Sequence, residues 1–179
     1  MVKILKKELL VPNIHYMVLE SDNIYLNAKA GEFVVVRADE FGERIPLNLV
    51  DWDEHTASVV FMEVGTSTRK LGCMKSGDSI ADLAGPLGKP TEMVNDKKIL
   101  VIGGCYGIGA IYPVIKAYKN NNNKVVTAIE ARSSFLLYWQ DKLKEYSDEI
   151  FEITRDGTKG YGGHIDKFLN EYLSKYSVD

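Results

Sequence analysis

The segment that decides the fold is residues 99–109, which read Ile-Leu-Val-Ile-Gly-Gly-Cys-Tyr-Gly-Ile-Gly. Its first four residues form a continuous apolar run, which is typical of a strand buried on both faces of a parallel sheet. Apolar residues then recur at three- and four-residue spacing from Ile108 to Tyr118, which predicts a helix that ends at the asparagines of 120–123. A buried strand, a glycine turn and a helix in this order predict an α/β domain.

The same alternation continues towards the C-terminus. Residues 124–129 and 150–154 are rich in apolar side chains and predict two further strands. A helix that begins at Ser133 and extends to Tyr146 is predicted between them, and another over 164–175. The resulting βαβαβα pattern predicts a doubly wound parallel sheet.

The half that precedes this segment has a different pattern. Residues 1 to about 94 consist of short β-branched or aromatic runs separated by turns, which predicts a small antiparallel barrel or sandwich. A short helix is predicted over 66–72, with Thr66 or Ser67 as its N-cap. The predicted strands are 2–9, 14–20, 32–38, 45–50, 57–64 and 78–84.

A cluster of glycine and proline separates the two halves. Residues 85–90 read Gly-Pro-Leu-Gly-Lys-Pro, a composition typical of a connection. We therefore expect a domain boundary near residue 95, with one domain over 1–94 and another over 95–179.

Composition excludes several classes of protein. The chain has 179 residues, of which 45% are hydrophobic and 26% charged, as in an ordinary globular protein. Its 22 Lys and Arg residues are dispersed and the formal net charge is -3, which argues against a nucleic-acid partner. Cys73 and Cys105 have no CxxC spacing, so no zinc site or disulfide framework is expected. Without an apolar run of membrane-spanning length or a leader, we expect no membrane partner and a cytoplasmic location.

The glycine turn at 103–109 is a candidate nucleotide site. Glycines allow a tight turn and let backbone N–H groups at a helix N-terminus approach a pyrophosphate. The sequence is not a strict GxGxxG, so a turn that only helps strand and helix to pack remains an alternative.

A second candidate combines residues 44–48 (Arg-Ile-Pro-Leu-Asn) with residues 64–68 (Val-Gly-Thr-Ser-Thr). A guanidinium offers a planar fork for phosphate, and Ser67 and Thr68 add donors at a predicted helix start. Taken singly, Arg44 is more often a surface cation and the hydroxyl residues a plain helix cap.

Three motifs, at residues 44–48, 63–72 and 85–90, resemble the ferredoxin–NADP reductase superfamily over essentially the whole chain. They are most similar to the small subunits of NADH-dependent ferredoxin:NADP oxidoreductase, also called sulfide dehydrogenase subunits, and more distantly to dihydroorotate dehydrogenase electron-transfer subunits. The resemblance implies an FAD-binding β-barrel over 1–94 and an NAD(P)-binding domain over 95–179. It implies a flavoprotein that passes electrons from NAD(P)H through FAD to a ferredoxin or a larger iron–sulfur subunit. A module that only docks such a subunit is the alternative.

The resemblance also implies roles for individual residues. Arg44 would contact the FAD pyrophosphate and Asn48 the edge of the isoalloxazine. No protein side chain is expected to act as a catalytic base, and no metal site is expected. The implied FAD-binding residues are Arg44, Pro46, Leu47, Asn48, Val50, Asp51, Gly65, Thr66, Ser67 and Thr68. Those implied for the nicotinamide nucleotide are Gly103, Gly104, Gly107, Ile108, Gly109, Glu130, Arg132, Asp156 and Gly157.

The sequence departs from the family pattern in three ways. Glu130 stands where the family usually has glycine. It would either bond a ribose 2′-hydroxyl and favour NADH, or be a solvated residue at the end of a strand. The nearby Arg132 argues for NADPH instead. Gly109-Ala110 replaces the family's Ala-Pro. Family members also continue with a further strand and a cysteine-rich iron–sulfur segment, so we expect a truncated chain whose own cysteines ligate no cluster.

Overall fold

The computed structural model describes residues 1–179. It divides into two compact units, Met1–Thr91 and Glu92–Asp179. The first unit is antiparallel β-structure with one helix, and the second is α/β.

Seven strands of the first unit form one antiparallel sheet, in the order β6-β1-β2-β5-β4-β3-β7. Its two edges are consecutive in the chain, because only Ala81 separates β6 from β7, and the Ala81 N–H donates to the Arg37 carbonyl at 3.0 Å. The sheet therefore curls round as the predicted antiparallel barrel, with Met17, Val34 and Phe61 buried inside it. The strands are β1 (Val2–Val11), β2 (Ile14–Glu20), β3 (Phe33–Arg37), β4 (Arg44–Asp53), β5 (Thr56–Met62), β6 (Ser79–Ile80) and β7 (Asp82–Leu87).

The last strands of this sheet differ from the prediction. The strand expected over 78–84 is divided at Ala81, and β7 continues through Gly85 and Pro86. Part of the glycine and proline cluster thus lies in a strand. Proline is tolerated there because β7 ends the sheet and needs no ladder donor on its outer side.

The single helix of the first unit is α1 (Thr66–Cys73), close to the predicted range. Its N-cap is Gly65, so the prediction of Thr66 or Ser67 was wrong. The hydroxyl that fixes the helix start belongs to Thr68 instead: its Oγ1 accepts hydrogen bonds from the N–H groups of Val64 and Gly65, at 3.0 and 3.1 Å.

The second unit contains four parallel strands in the order β11-β10-β9-β8. Its strands are β8 (Lys98–Gly104), β9 (Lys124–Ala131), β10 (Glu149–Thr154) and β11 (Tyr161–Gly162), and its helices are α2 (Gly107–Asn120), α3 (Gln140–Lys144) and α4 (Ile165–Leu173).

Helices cover both faces of this sheet. Ile111 of α2 lies against Gly103, whereas Phe168 and Tyr172 of α4 pack with Val126 on the other face. After α4 the chain returns to the free edge of β8, where the Asp179 N–H donates to the Lys98 carbonyl at 2.9 Å. The helices lie on both faces of the sheet, and after α4 the chain returns to the side of β8 opposite β9. Both features confirm the doubly wound arrangement.

The long helix predicted from Ser133 to Tyr146 does not form. A 3-10 turn over Ser134–Leu136 is followed by extended backbone at Leu137, and Trp139 has a positive φ of 58°. Only then does α3 begin. The apolar spacing of this stretch arises because Leu137 and Tyr138 are both buried without being helical.

Candidate functional sites

The first candidate site lies on the outward face of β4. Side chains alternate along a strand, so Arg44, Pro46 and Asn48 share one face while Ile45 and Leu47 pack against the barrel core. Register places Pro46 beside Val35 of β3, which pairs in turn with Ala84 of β7. The result is a surface of small and apolar side chains with arginine at one end.

Two arginines lie at that end of the surface. Arg44 donates to the Asp82 carboxylate at 3.1 Å, and the Arg37 Nε lies 4.0 Å from the same carboxylate. Two guanidinium groups therefore share one carboxylate, and 62% of the Arg44 side chain is exposed. Such a group can turn to a second, anionic partner.

The N-terminus of α1 is held beside this arginine. Ser67 donates to the carboxylate of Glu43, the residue before Arg44, at 3.4 Å. A Cβ added at Gly65 would meet nothing within 4 Å, so the approach to the first turn is open. The first-turn N–H groups have no acceptor within the helix and attract anions. Arg44 and residues 65–67 thus form one cradle suited to a phosphate.

Four of the implied FAD-binding side chains are buried or engaged within the protein. Val50 is fully buried, so it offers only its backbone to a ligand. Thr68 is nine-tenths buried and its hydroxyl holds the backbone of residues 64 and 65, which makes it a positioning residue. Leu47 faces the barrel core, and Asp51 accepts a hydrogen bond from the Trp52 N–H at 3.2 Å.

The second candidate site is the glycine turn after β8. A Cβ at Gly103 would lie 2.8 Å from Ile111 Cδ1 and 3.0 Å from the Gly107 carbonyl oxygen, so this glycine is required by packing. A Cβ at Gly107 would meet nothing within 4 Å. Gly107 therefore leaves open space at the start of α2, where a phosphate would approach.

A buried tyrosine fixes the shape of this turn. The Tyr138 hydroxyl accepts from the Gly109 N–H at 2.8 Å and donates to the Tyr106 carbonyl at 2.9 Å. Burial raises the pKa of Tyr138, so the hydroxyl stays protonated and keeps donating. The Gly109 N–H is consequently engaged, and Ile108 is fully buried in the core. The Ile108 side chain and the Gly109 N–H are therefore not free to contact a nucleotide.

Loops from three strands meet at the carboxyl edge of the sheet. The Cys105 N–H donates to the Glu130 carbonyl, and the Asp156 N–H donates to the Arg132 carbonyl, each at 3.1 Å. These bonds bring the ends of β8, β9 and β10 together, where ligands bind in open α/β sheets. Gly104 lies beside Glu130, since a Cβ there would be 3.7 Å from its carbonyl oxygen.

Glu130 is neither solvated nor directed at open solvent. Only 8% of its side chain is exposed, and its Oε1 accepts a hydrogen bond from the Arg155 Nε at 2.7 Å. His164 Nδ1 lies 3.8 Å from the same oxygen. The carboxylate raises the pKa of the Arg155 guanidinium. The solvated-glutamate alternative was therefore wrong, and contact with a ribose would have to displace or include Arg155.

The remaining predicted residues, Asp156 and Gly157, form an exposed turn. Asp156 accepts from both the Thr158 N–H, at 3.0 Å, and the Thr158 hydroxyl, at 2.7 Å, and these bonds lower the pKa of its carboxyl. Gly157 has a φ of +71°, which favours glycine. Thr158 also accepts from the Ser134 N–H, so this turn is tied to the loop after β9.

Comparison with known proteins identifies the chain's relatives. A protein from Thermotoga maritima named dihydroorotate dehydrogenase B (NAD(+)), electron transfer subunit homolog, is 35% identical over 99% of this chain. The structure of an NADH-dependent reduced ferredoxin-NADP oxidoreductase, described for flavin-based electron bifurcation, matches 98% of this chain with 33% identity and a TM-score of 0.91. The chain has a ferredoxin reductase-like fold. The resemblance drawn from its sequence motifs is thus confirmed.

Other comparisons set the limits of this relationship. An electron transfer subunit of dihydroorotate dehydrogenase B from Enterococcus faecalis is 28% identical over 98% of this chain. Phthalate dioxygenase reductase, at 14% identity and a TM-score of 0.71, shows the shared fold alone. The ferredoxin reductase-like chain spans 63% of its Thermotoga relative and 64% of the matched oxidoreductase chain. No family model matches it.

Sequence reasoning missed several residues of both sites in this ferredoxin reductase-like chain. Asp82, Tyr138, Arg155 and Thr158 all contact predicted site residues. Arg155 could have been found from its place directly after a predicted strand, but the other three carry no local signal. The structure contains no group of three or more potential metal-ligating side chains and no helix able to cross a membrane.

Proposed function

We propose that the first unit binds FAD on the outward face of β4. The single observation that carries this proposal is the cradle in which Arg44 stands beside the open N-terminus of α1. The exposed Arg44 guanidinium and the helix dipole suit a pyrophosphate. The flat surface beside Pro46 would receive the isoalloxazine, with Asn48 at its edge, and residues 1–94 would form the flavin domain.

The second unit, assigned as residues 95–179, would bind the nicotinamide dinucleotide at the carboxyl edge of its sheet. Open space at Gly107 suits the pyrophosphate, and Arg132, Asp156 and Gly157 lie on neighbouring loops. Glu130 with Arg155 would face the ribose, where a 2′-phosphate distinguishes NADPH from NADH.

The proposed activity is electron transfer from NAD(P)H through FAD to a ferredoxin or to an iron–sulfur centre in a larger redox subunit. When bound, the flavin supplies hydride acceptance and single-electron release. The protein's residues bind and orient both cofactors, and none is required as a base. The names of the relatives, an electron transfer subunit homolog and a ferredoxin-NADP oxidoreductase, support this proposal. A cytoplasmic location is proposed with it.

A spectroscopic experiment tests the proposal. The purified chain is supplied with FAD, its visible spectrum is recorded, and NADH and then NADPH are added without oxygen. A bound flavin that bleaches supports the reductase. A bound flavin that neither nucleotide bleaches overturns it and favours the alternative, a subunit that only docks a redox partner. Absence of bound flavin contradicts both the FAD site and the activity.

The variant Arg44→Ala tests the cradle directly. A charged hydrogen bond contributes about 1.5–3 kcal/mol, so FAD affinity should fall by about 10- to 150-fold. Fluorescence titration of the apoprotein with FAD measures this. Lys6→Ala is the control, because Lys6 is exposed on β1 and its contacts, with Glu8 at 2.8 Å and with the Tyr16 ring, lie outside the cradle. Equal FAD affinity in Arg44→Ala and the wild type would remove Arg44 from the site.

A further inference from the structure

The loop between β3 and β4 presents a single aromatic side chain to solvent. Phe41 lies at its tip and is 97% exposed, the most exposed phenylalanine of the chain. Phe41 lies outside the three motifs at residues 44–48, 63–72 and 85–90. Scattered exposed apolar residues are ordinary, so the question is whether this loop has a defined shape and faces a defined site.

Several contacts give the loop a defined shape. The Arg37 Nη1 donates to the Glu40 carbonyl at 3.3 Å, and the Phe41 N–H donates to the Asp39 carboxylate at 2.9 Å. The Gly42 N–H closes a turn by donating to the Asp39 carbonyl at 3.0 Å. Every anchor engages backbone or a neighbouring charge, and none engages the Phe41 ring. The ring is therefore held out on a structured support.

The same loop is tied to the phosphate cradle. The Asp39 carboxylate forms an ion pair with Lys70 of α1, and the Glu43 carboxylate accepts the Ser67 hydroxyl at 3.4 Å. Followed along β4 towards its N-terminus, Asn48, Pro46 and Arg44 lead directly to Phe41. An elongated ligand that lies along this strand would thus have its pyrophosphate near Arg44 and its far end near Phe41.

The charge of the loop indicates what that far end is. Asp39, Glu40 and Glu43 flank Phe41 in the sequence. Asp39 pairs with Lys70 and Glu43 accepts the Ser67 hydroxyl, while Glu40 adds a further negative charge beside Phe41, which disfavours another phosphate there. An exposed phenylalanine offers a π-face and no hydrogen bond, so the complementary group is a planar and uncharged ring. In a flavin dinucleotide the group beyond the pyrophosphate is adenosine.

We propose that Phe41 is a binding residue for the adenine of the flavin dinucleotide and that it makes the site select FAD over FMN. This inference rests on the proposed function, because it assumes the flavin pyrophosphate at Arg44. FMN ends at its phosphate and does not reach Phe41. The contribution of the ring is therefore specific to the dinucleotide.

Titration of the apoprotein with FAD and, separately, with FMN tests the inference. Loss of base–aromatic stacking should weaken FAD binding to Phe41→Ala by about 5- to 150-fold, while FMN binding stays within twofold of the wild type. Phe41→Trp, which keeps an aromatic face, should restore FAD affinity. Leu9→Ala, an exposed apolar residue on β1, is the matched control. Thermal unfolding should be unchanged in Phe41→Ala, since the ring is not packed.

The outcomes separate the two proposals. Wild-type FAD binding that Phe41→Ala leaves unchanged overturns the adenine contact alone. Equal losses for FAD and FMN also overturn it, since they would show a role in shaping the phosphate cradle. A wild-type chain that binds neither flavin overturns the proposed function and this inference together.

Discussion

At the scale of single residues, the pair of Glu130 and Arg155 determines the charge that a nucleotide ribose would meet. Arg155 is 51% exposed, yet its Nε is held by a carboxylate that is almost fully buried. A buried carboxylate needs such a partner, because leaving it unpaired would be costly. Glu130 thus partly neutralises the cation that would otherwise attract a 2′-phosphate.

Glu130→Gln should therefore shift nucleotide preference towards NADPH. The amide removes the negative charge and loosens its hold on Arg155, so the ratio of NADPH to NADH affinity should rise on the order of tenfold, the change expected from losing one charge-assisted hydrogen bond. Competitive binding measurements with the two nucleotides give the ratio. Glu152→Gln, which breaks the pair between Glu152 of the neighbouring strand β10 and Lys159 at 3.0 Å, is the control. An unchanged ratio in Glu130→Gln would exclude the pair from ribose recognition.

At the scale of elements, the glycine turn between β8 and α2 combines two requirements that its sequence cannot separate. The sequence of residues 103–109 is compatible with a phosphate-binding turn and with a turn that only helps packing. Gly103 meets the packing requirement because a side chain would collide with Ile111, whereas Gly107 faces open space. Packing therefore accounts for Gly103, while the open space at Gly107 leaves room for the proposed phosphate.

A pair of substitutions should divide these requirements. Gly107→Val should leave the melting temperature within a few degrees of the wild type and weaken nucleotide binding more than tenfold, because its side chain would fill the space of the pyrophosphate. Gly103→Ala should lower the melting temperature by several degrees through overpacking, which costs about 1–3 kcal/mol. Calorimetry and nucleotide titration measure the two effects. Retained NADH affinity in Gly107→Val would contradict the placement of the nucleotide.

Elements defined by local pattern were predictable, and those defined by tertiary contact were not. A strand over 99–102 and a helix from Ile108 form as predicted, because apolar runs and helical spacing are local. The expected burial of that strand on both faces was wrong, since β8 lies at an edge of the sheet and Ile102 is 40% exposed. The false helix over Ser133–Tyr146 arose because buried residues there follow helical spacing, while the Tyr138 hydroxyl bonds a turn 29 and 32 residues away. Such a partner is invisible in sequence.

The candidate sites divide in the same way. Arg44 and the start of α1 were singled out by motif, since guanidinium and helix-start hydroxyls are recognisable by type. Asp82, which pairs with Arg44 across 38 residues, requires the strand order of the barrel to be known. Thr68 was identified by type, but its use as a backbone anchor depends on local geometry.

At the scale of the whole molecule, carboxylates with lowered pKa occur in both units. The pKa of Asp53 is lowered by the His55 N–H, that of Asp148 chiefly by Lys119, and that of Asp179 by the Lys98 N–H. Each group is ionised in the folded chain at a pH where the unfolded chain has begun to bind protons. Their combined contribution is present above the ordinary carboxyl pKa of about 4 and is lost as the pH falls.

The folded chain should consequently lose stability in acid, with Asp148 as its best-connected contributor. Its carboxylate accepts from Lys119 Nζ at 2.7 Å and from the Val125 N–H at 2.8 Å, which joins α2, β9 and the approach to β10. The melting temperature should fall between pH 5 and pH 3, a window of roughly one unit on either side of the ordinary carboxyl pKa. The melting temperature of Asp148→Asn should start below that of the wild type and should fall less steeply as the pH falls. This variant lacks the proton-linked contribution of the Asp148 carboxylate at every pH. Glu54→Gln, at an exposed turn, should follow the wild-type profile. If the melting temperature of Asp148→Asn falls with pH as steeply as that of the wild type, the acid sensitivity must originate in the other carboxylates, Asp53 and Asp179 among them.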